Sequence, residues 1–363
     1  MSRDDRMAAI QALQAARGDT TVITYLTSTR AGLESSMSLD VIPRIYRHLT
    51  EAAAAGASRN IDLFIHSNGG DGIVPWRLIT LLREFADKVT VLVPHRAFSA
   101  ATLTALGADE VVMHPMGMLG PTDPTVTGPF NPGDPNAQGQ LLGVSVEDVA
   151  AYIALVKDDF GIGHEDELIQ SLNSLTDKVH PLALGAVKRS SLQSQMMGRK
   201  LLGIRSDGAE KLADHKIDGV IKKLGSELFF HGHPINRQEA RDDVGLDFVR
   251  DASSAEESAM WALYELYESE MKLETAFQPI EEALAITPVD PAPVPLMMNG
   301  QQLHPVPQLN VVSIDLDPCR MAVVESTTRC DFAFVKLNVT VARDLAGKTN
   351  ANVSVVRQGW DSE

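Results

Sequence analysis

Two short apolar runs, Ile61 to Ile65 and Val89 to Val93, each stop at a turn, and each turn opens a helix-like stretch. A strand that feeds a helix and returns as a parallel neighbour forms a βαβ unit, so the turns that follow successive strands emerge on one edge of the sheet. Thr21 to Leu26 reads as a strand before them and Glu110 to Met113 as one after. Helical patterns at Leu39 to Ala55, Ile73 to Ala86 and Ser99 to Leu106 fill the gaps. This rhythm predicts an α/β fold with a mostly parallel sheet.

The two turns carry the chemistry. One holds Gly69 and Gly70, in Ile65-His66-Ser67-Asn68-Gly69-Gly70-Asp71. The other holds Ser99, in His95-Arg96-Ala97-Phe98-Ser99-Ala100-Ala101-Thr102, twenty-nine residues after Gly70. Glycine frees a backbone to aim its N–H groups at a substrate oxygen, with no side chain in the way. Ser99 opens a helix, where the N-terminal dipole favours a developing anion. Singly, each feature is ordinary: Gly-Gly turns follow many strands, and a serine at a helix start is usually an N-cap. In this order, within repeated strand–helix units, they mark Ser99 as a candidate nucleophile. The N–H groups of Gly69 or Gly70 and of Ala100 are the matching candidate oxyanion donors.

The order of strand, Ser-x-Gly-Gly turn, helix, strand, small-residue serine motif and Ala-rich helix resembles the Clp/crotonase-fold serine peptidases. Ala105-Leu106-Gly107-Ala108-Asp109-Glu110-Val111-Val112-Met113-His114-Pro115 and Leu119-Gly120-Pro121-Thr122-Asp123-Pro124 resemble the signal-peptide-peptidase branch, most closely its serine dehydrogenase proteinase group. The resemblance covers residues 20 to 250, with Asn68 standing where those families usually carry proline. It implies an oxyanion hole of Gly-Gly amides and the amide after the nucleophile. It also implies homo-oligomers with sites in a protected interior.

A serine hydroxyl needs a general base within hydrogen-bond reach. The Clp-type histidine is expected about 25 positions after the serine, where this chain has Thr122-Asp123-Pro124. The signal-peptide-peptidase branch uses a desolvated lysine instead, and Val149 to Ile162 looks like the helix before it. The next basic candidates are Lys178 and His180, both flanking a helix start. Lys178 ranks first through the resemblance, His180 second because a histidine needs no tuning of its pKa, and Lys188 third. His66 and His95 read as strand-end residues and Asp123 as part of a Pro-flanked turn. His231 and His233 read as a turn, since no third ligand lies nearby to make a metal site.

Composition removes other classes. The net charge of −16, without a basic cluster, argues against nucleic acid. No apolar run reaches the length of a membrane span, and Met1-Ser2-Arg3-Asp4-Asp5-Arg6 leads into a polar helix instead of a signal-peptide core, so the expected location is cytoplasmic. Cys319 and Cys330, the two cysteines, supply neither a disulfide framework nor a zinc quartet. No cofactor or metal is called for.

Further along, Pro121 to Gly139 reads as a surface loop, Ser145 to Lys157 and Pro181 to Leu202 as helices, Ser206 to Ala213 as a short helix, and Ser253 to Ala285 as a long one. Pro288 to Pro307 is a Pro-rich linker by composition. Short alternating strands follow at Asn310 to Ile314, Arg320 to Val324, Phe332 to Val341 and Asn352 to Arg357. The expected organisation is a Clp/crotonase-like domain at 1–278, a linker at 279–309 and a small β-rich module at 310–363, the module being a possible arm toward a neighbouring subunit.

The expected function is that of an ATP-independent serine endopeptidase acting on peptides or proteins. The alternative is a catalytically silent assembly or binding protein of the same fold. Acyl-CoA chemistry ranks third, since the paired acidic residues it needs are not evident.

Overall fold

Apolar runs become strands, and the patterns between them helices, in the computed structural model, which describes residues 2–135, 139–205, 211–228, 230, 232–290, 297–298, 301–302, 309–344 and 348–363. Most of the expected helix at 206–213, most of the expected linker at 288–307, and His231 lie outside the described residues. The chain opens with α1 (Arg3–Ala16), β1 (Thr21–Thr27), α2 (Ile42–Ala54), β2 (Asn60–His66), α3 (Val74–Phe85), β3 (Lys88–Val93), α4 (Ala100–Leu106) and β4 (Glu110–Met113). Next come α5 (Val146–Ala154), α6 (Glu165–Thr176), α7 (Pro181–Gly203), α8 (Asp214–Lys222), α9 (Arg237–Asp242), β5 (Val249–Asp251), α10 (Ser254–Met271) and α11 (Pro279–Ile286). Strands β6 (Leu309–Asp315), β7 (Cys319–Glu325), β8 (Cys330–Asp344) and β9 (Thr349–Ser362) follow.

The chain forms two units, one of Ala12–Ile23 and Ser36–Trp261, the other of Met1–Gln11, Thr24–Ser35 and Ala262–Glu363. In the first, β2, β3, β4 and β5 pair in parallel, with Leu63, Val91, Val111 and Val249 in one row across the sheet. All four are buried, as strands covered on both faces must be. Helix α3 begins with Pro75 in its first turn and buries Val74, Leu78, Ile79, Leu81 and Leu82, one stripe at helical spacing. Seven residues of α4, Ala100 to Leu106, are all buried. The C-terminal half of α7 lies on α4, where a methyl group at Gly198 would touch Leu103 at 3.6 Å.

A buried ion cluster ties the first unit together. Arg17 Nε donates to Asp62 at 2.7 Å and Nη1 to Glu256 at 2.5 Å, while Arg250 spans Glu110 and Glu256 at 2.7 Å each. Burial works upward on the Glu256 carboxyl, yet hydrogen bonds from Arg250, the Ser253 N–H and Arg17 hold it well below the usual range. Charges taken this far from water persist because each has its partner.

In the second unit, β8 pairs antiparallel with β6 and β7 along one side and with β9 along the other. Thr24 to Thr27 of β1 pair with β7. Helix α11 sits in the segment expected as linker, and its Ala283 is fully buried in a core with Phe277, Ile314, Leu337, Val339 and Val341. The single helix expected over Ser253 to Ala285 is two: α10 ends at Met271, just before Lys272, whose φ is +52°, and Pro279 restarts the chain as α11. Arg6 is 1 % exposed and donates to Glu325 at 2.7 Å, with Tyr267 Oη also on Glu325 at 2.8 Å. Among the described residues no helix is long and apolar enough to cross a membrane.

Candidate active site

Parallel strands deliver their C-terminal ends to one edge, and there β2 and β3 release the two turns. Ser67 N–H donates to Arg96 O at 2.9 Å and Phe98 N–H to Ser67 O at 3.0 Å, so the Gly-Gly turn and the serine turn are stitched to each other. Ser67 Oγ accepts the Gly69 N–H at 2.9 Å. The Met37 N–H donates to Gly69 O at 2.7 Å, and the Asp71 N–H donates to Met37 O at 2.9 Å. Those bonds hold the turn from both sides of Gly70. Asn68, at the position where the resembled families carry proline, accepts from Arg96 at 3.2 Å.

Both glycines are required by geometry. Gly69 has φ +100°, and a Cβ on it would lie 2.7 Å from Phe98 O and Ser99 Cβ and 2.9 Å from the Ala100 N–H nitrogen. Gly70 has φ +152°, and a Cβ there would run into the Met37 backbone. The backbone of one turn thus rests against the serine of the other.

Ser99 itself sits at φ +53°, ψ −113°, a conformation that L-residues avoid and that costs about 1–3 kcal/mol. It stands at the N-cap position of α4 and makes no capping bond. Among the described residues its Oγ has no hydrogen-bond partner, and neither have the N–H groups of Gly70 and Ala100. The Gly69 N–H, by contrast, is committed to Ser67. A half-buried hydroxyl on a strained turn and two unspent N–H groups therefore share one short stretch of backbone.

The sequence missed Ser67, and its signal was legible: serine followed two residues later by a glycine is the local turn in which a hydroxyl takes the N–H of residue i+2. It also missed Thr102, whose Oγ1 bonds Ala97 O at 2.7 Å, accepts the Gly120 N–H at 3.0 Å, and so fixes the start of α4.

The candidate bases make no hydrogen bond to Ser99 among the described residues. Ser194, far along α7, donates to Thr122 O at 2.6 Å. A rise of about 1.5 Å per residue puts about 20 Å of helix between Ser194 and Pro181, where Lys178 and His180 are. Lys178 is exposed. His180 caps α7, its Nδ1 accepting the Leu182 N–H at 3.1 Å, and its ring stacks on Phe130 at 4.9 Å between centroids. Lys188 is likewise exposed, on α7.

His66 is fully buried and stacked on His95, with ring centroids 5.6 Å apart. Burial, with the neighbouring charges of His95 and Arg96, pushes its pKa down to about 3, so its ring is neutral at ordinary pH. Asp123 is 3 % exposed, and beside it the Glu147 carboxyl is raised by burial and by the charges of Asp123 and Asp148. His233 contacts Glu239 at 2.6 Å. Among the described residues no three His, Cys, Asp or Glu side chains gather as a metal ion would require.

Residues 8–133 match the family of ClpP-like SDH-type serine proteinases. Two uncharacterized proteins of Methanocaldococcus jannaschii are similar: MJ1495, 28% identical over 149 residues (37% of this chain, 51% of the relative), and MJ0137, 26% identical over 220 residues (60% and 62%). The chain therefore spans between half and two thirds of the length of these relatives. Among solved structures, a serine-to-alanine variant of the 1510-N membrane-bound stomatin-specific protease overlaps 38% of this chain and 62% of its own, at 17% identity and a TM-score of 0.26. Over the matched segment, which holds Gly69, Gly70 and Ser99 together, the chain resembles the ClpP-like serine peptidases of the SDH type.

Proposed function

We propose that the protein is a serine peptidase, with Ser99 as its nucleophile and the N–H groups of Gly70 and Ala100 as its oxyanion hole. One observation carries this: the strained Ser99, φ +53°, with its hydroxyl and both neighbouring N–H groups unspent. A capping serine would use its oxygen on the helix, and a structural turn would satisfy its amides. In the reaction, Ser99 Oγ attacks a peptide carbonyl and the carbonyl oxygen, now negative, accepts from Gly70 and Ala100. Each such donor is commonly worth about 3 kcal/mol in the transition state. Gly69 contributes close approach, its own N–H being held by Ser67.

The base takes the Ser99 proton and returns it to the leaving amine. Lys178 and His180 are the candidates, and neither is hydrogen-bonded to Ser99 among the described residues. His180 must release the Leu182 N–H, because in the neutral ring Nδ1, which accepts that bond, is the basic nitrogen while Nε2 carries the proton. A cytoplasmic homo-oligomer acting on peptides without ATP is the proposed setting.

A second reading is favoured by the same vacancy at Ser99 Oγ: a catalytically silent binding protein that keeps the fold and its open amides. Fluorophosphonate labelling of the purified chain without nucleotide separates the two, with Ser99→Ala, Lys178→Ala and His180→Ala alongside. Label on Ser99, lost in Ser99→Ala and in one base variant, is the expected result. Folded wild type that takes no label at high reagent concentration overturns the peptidase and leaves the binding protein.

A further inference from the structure

Strand β9 is a long edge with no strand on its outer side among the described residues. Strand β8 is flanked by β6 and β7 on one side and by β9 on the other, which leaves the outer side of β9 without a strand among the described residues. Cross-strand partners share a face, and β9 pairs Ala351 with Val341, Val353 with Val339, and Val355 with Leu337. The β8 members of those pairs are core, at 0 %, 0 % and 7 % exposed, whereas Val353 and Val355 are 40 % and 58 % exposed. The apolar face of the sheet thus runs on past its own core onto the edge strand. Edges of this kind are usually blunted by charge or proline. From Thr349 to Gln358 there is no proline and a single charge, Arg357, which lies over the Phe334 ring at 5.1 Å.

We propose that this edge pairs antiparallel with the same strand of a second copy of the chain, about a two-fold axis at Val353. The strand is self-complementary in that register. Val353 meets Val353 of the second copy, Ala351 meets Val355, and Asn352 meets Ser354 on the opposite face. No like charges oppose one another. In a chain of net charge −16, copies repel over most of their surface, and this nearly uncharged segment is where they approach at least cost. The register also ends before Val356, the extra residue at the bulge opposite Lys336 and Leu337, where the ladder is irregular. The proposal stands independently of the peptidase reading.

Sedimentation velocity on the full chain tests it. Wild type is expected to associate, and Val353→Lys or Val353→Glu to weaken association about tenfold or more, since like charges then face each other across the axis. An equimolar mixture of the two variants is expected to recover association, because lysine then faces glutamate. Val311→Lys, at an exposed valine on β6, is the control and should associate like wild type. Circular dichroism melts show whether each variant is folded. A monomeric wild type, a folded Val353→Lys that associates unchanged, or a mixture no stronger than its components overturns the proposal.

Discussion

Helices α4 and α5 of the first unit each have a serine at the N-cap position, and they use it in opposite ways. At α5, Ser145 has ordinary extended backbone, and its Oγ accepts the N–H groups of Glu147 and Asp148 at 3.1 and 3.4 Å. At α4, Ser99 is twisted to φ +53°, caps nothing, and leaves the Ala100 N–H open. Residue type and position are the same, so the difference lies in the surroundings. Ser145 follows a short surface ladder, whereas Ser99 is pressed against Gly69 and leads into a helix with no exposed residue. A turn that forgoes local satisfaction has been held in place by its neighbours, and such turns concentrate where binding or chemistry occurs.

The largest expected effect comes from filling the space that holds the α4 turn. Gly69→Ala sets a methyl group 2.7 Å from Phe98 O and Ser99 Cβ at φ +100° and should cost about 3 kcal/mol or more in denaturant unfolding, with loss of Ser99 labelling. A Gly69→Ala chain of wild-type stability would mean the two turns are not braced against each other.

Acid gives the next effect, since the same strand ends hold His66 neutral. Its pKa is about 3 when folded and near 6.5 when unfolded, so the unfolded chain takes up the proton first as pH falls. Stability should drop through the window from pH 6.5 toward 3, by up to about 1.4 kcal/mol per pH unit. Glu256, depressed when folded, adds its own loss only below about pH 4.5. Unfolding measured between pH 6.5 and 5 in wild type and His66→Phe isolates the histidine, and parallel slopes would refute the assignment.

The smallest effects have opposite signs at the two serines. Ser99→Gly relieves strain and should stabilise the fold by about 1 kcal/mol, while Ser145→Ala loses a cap and should destabilise by about the same amount. Thermal melts of the pair decide whether the contrast between α4 and α5 is energetic or only geometric.

Much of this was readable from the residues. The apolar runs at Ile61 and Val89 had to be buried strands, and the turns after them had to share an edge, so Gly69, Gly70 and Ser99 could be brought together before any coordinates. The long β8 and β9 were legible through alternation, though each runs further than its apolar core. Helix α6 was not legible: Ile169 and Leu172 are exposed and none of its residues is buried, so its pattern carries no core-facing stripe. Strand β5 escaped notice because three residues, Val249–Asp251, are too few for a period, and parallel pairing with β4 comes from far along the chain. The choice among N–H donors turned on Ser67 Oγ, a two-residue contact that composition does not weigh. The base was beyond reach for a different reason, since Lys178 and His180 were placed by resemblance and by proximity to a helix start, and neither consideration measures distance to Ser99.

The Arg17 cluster has a consequence for how the chain is made. Its partners are separated from it by 45 residues at Asp62 and by 239 at Glu256. While the ribosome is still extending the chain, Arg17 and Asp62 can meet early, but the second carboxylate arrives only when α10 begins to emerge, together with β5 just before it. Until then the edge of the parallel sheet beyond β4 is open. The first unit is therefore a body that closes late, and the interval before Glu256 appears is the one in which a nascent chain most needs protection from its neighbours.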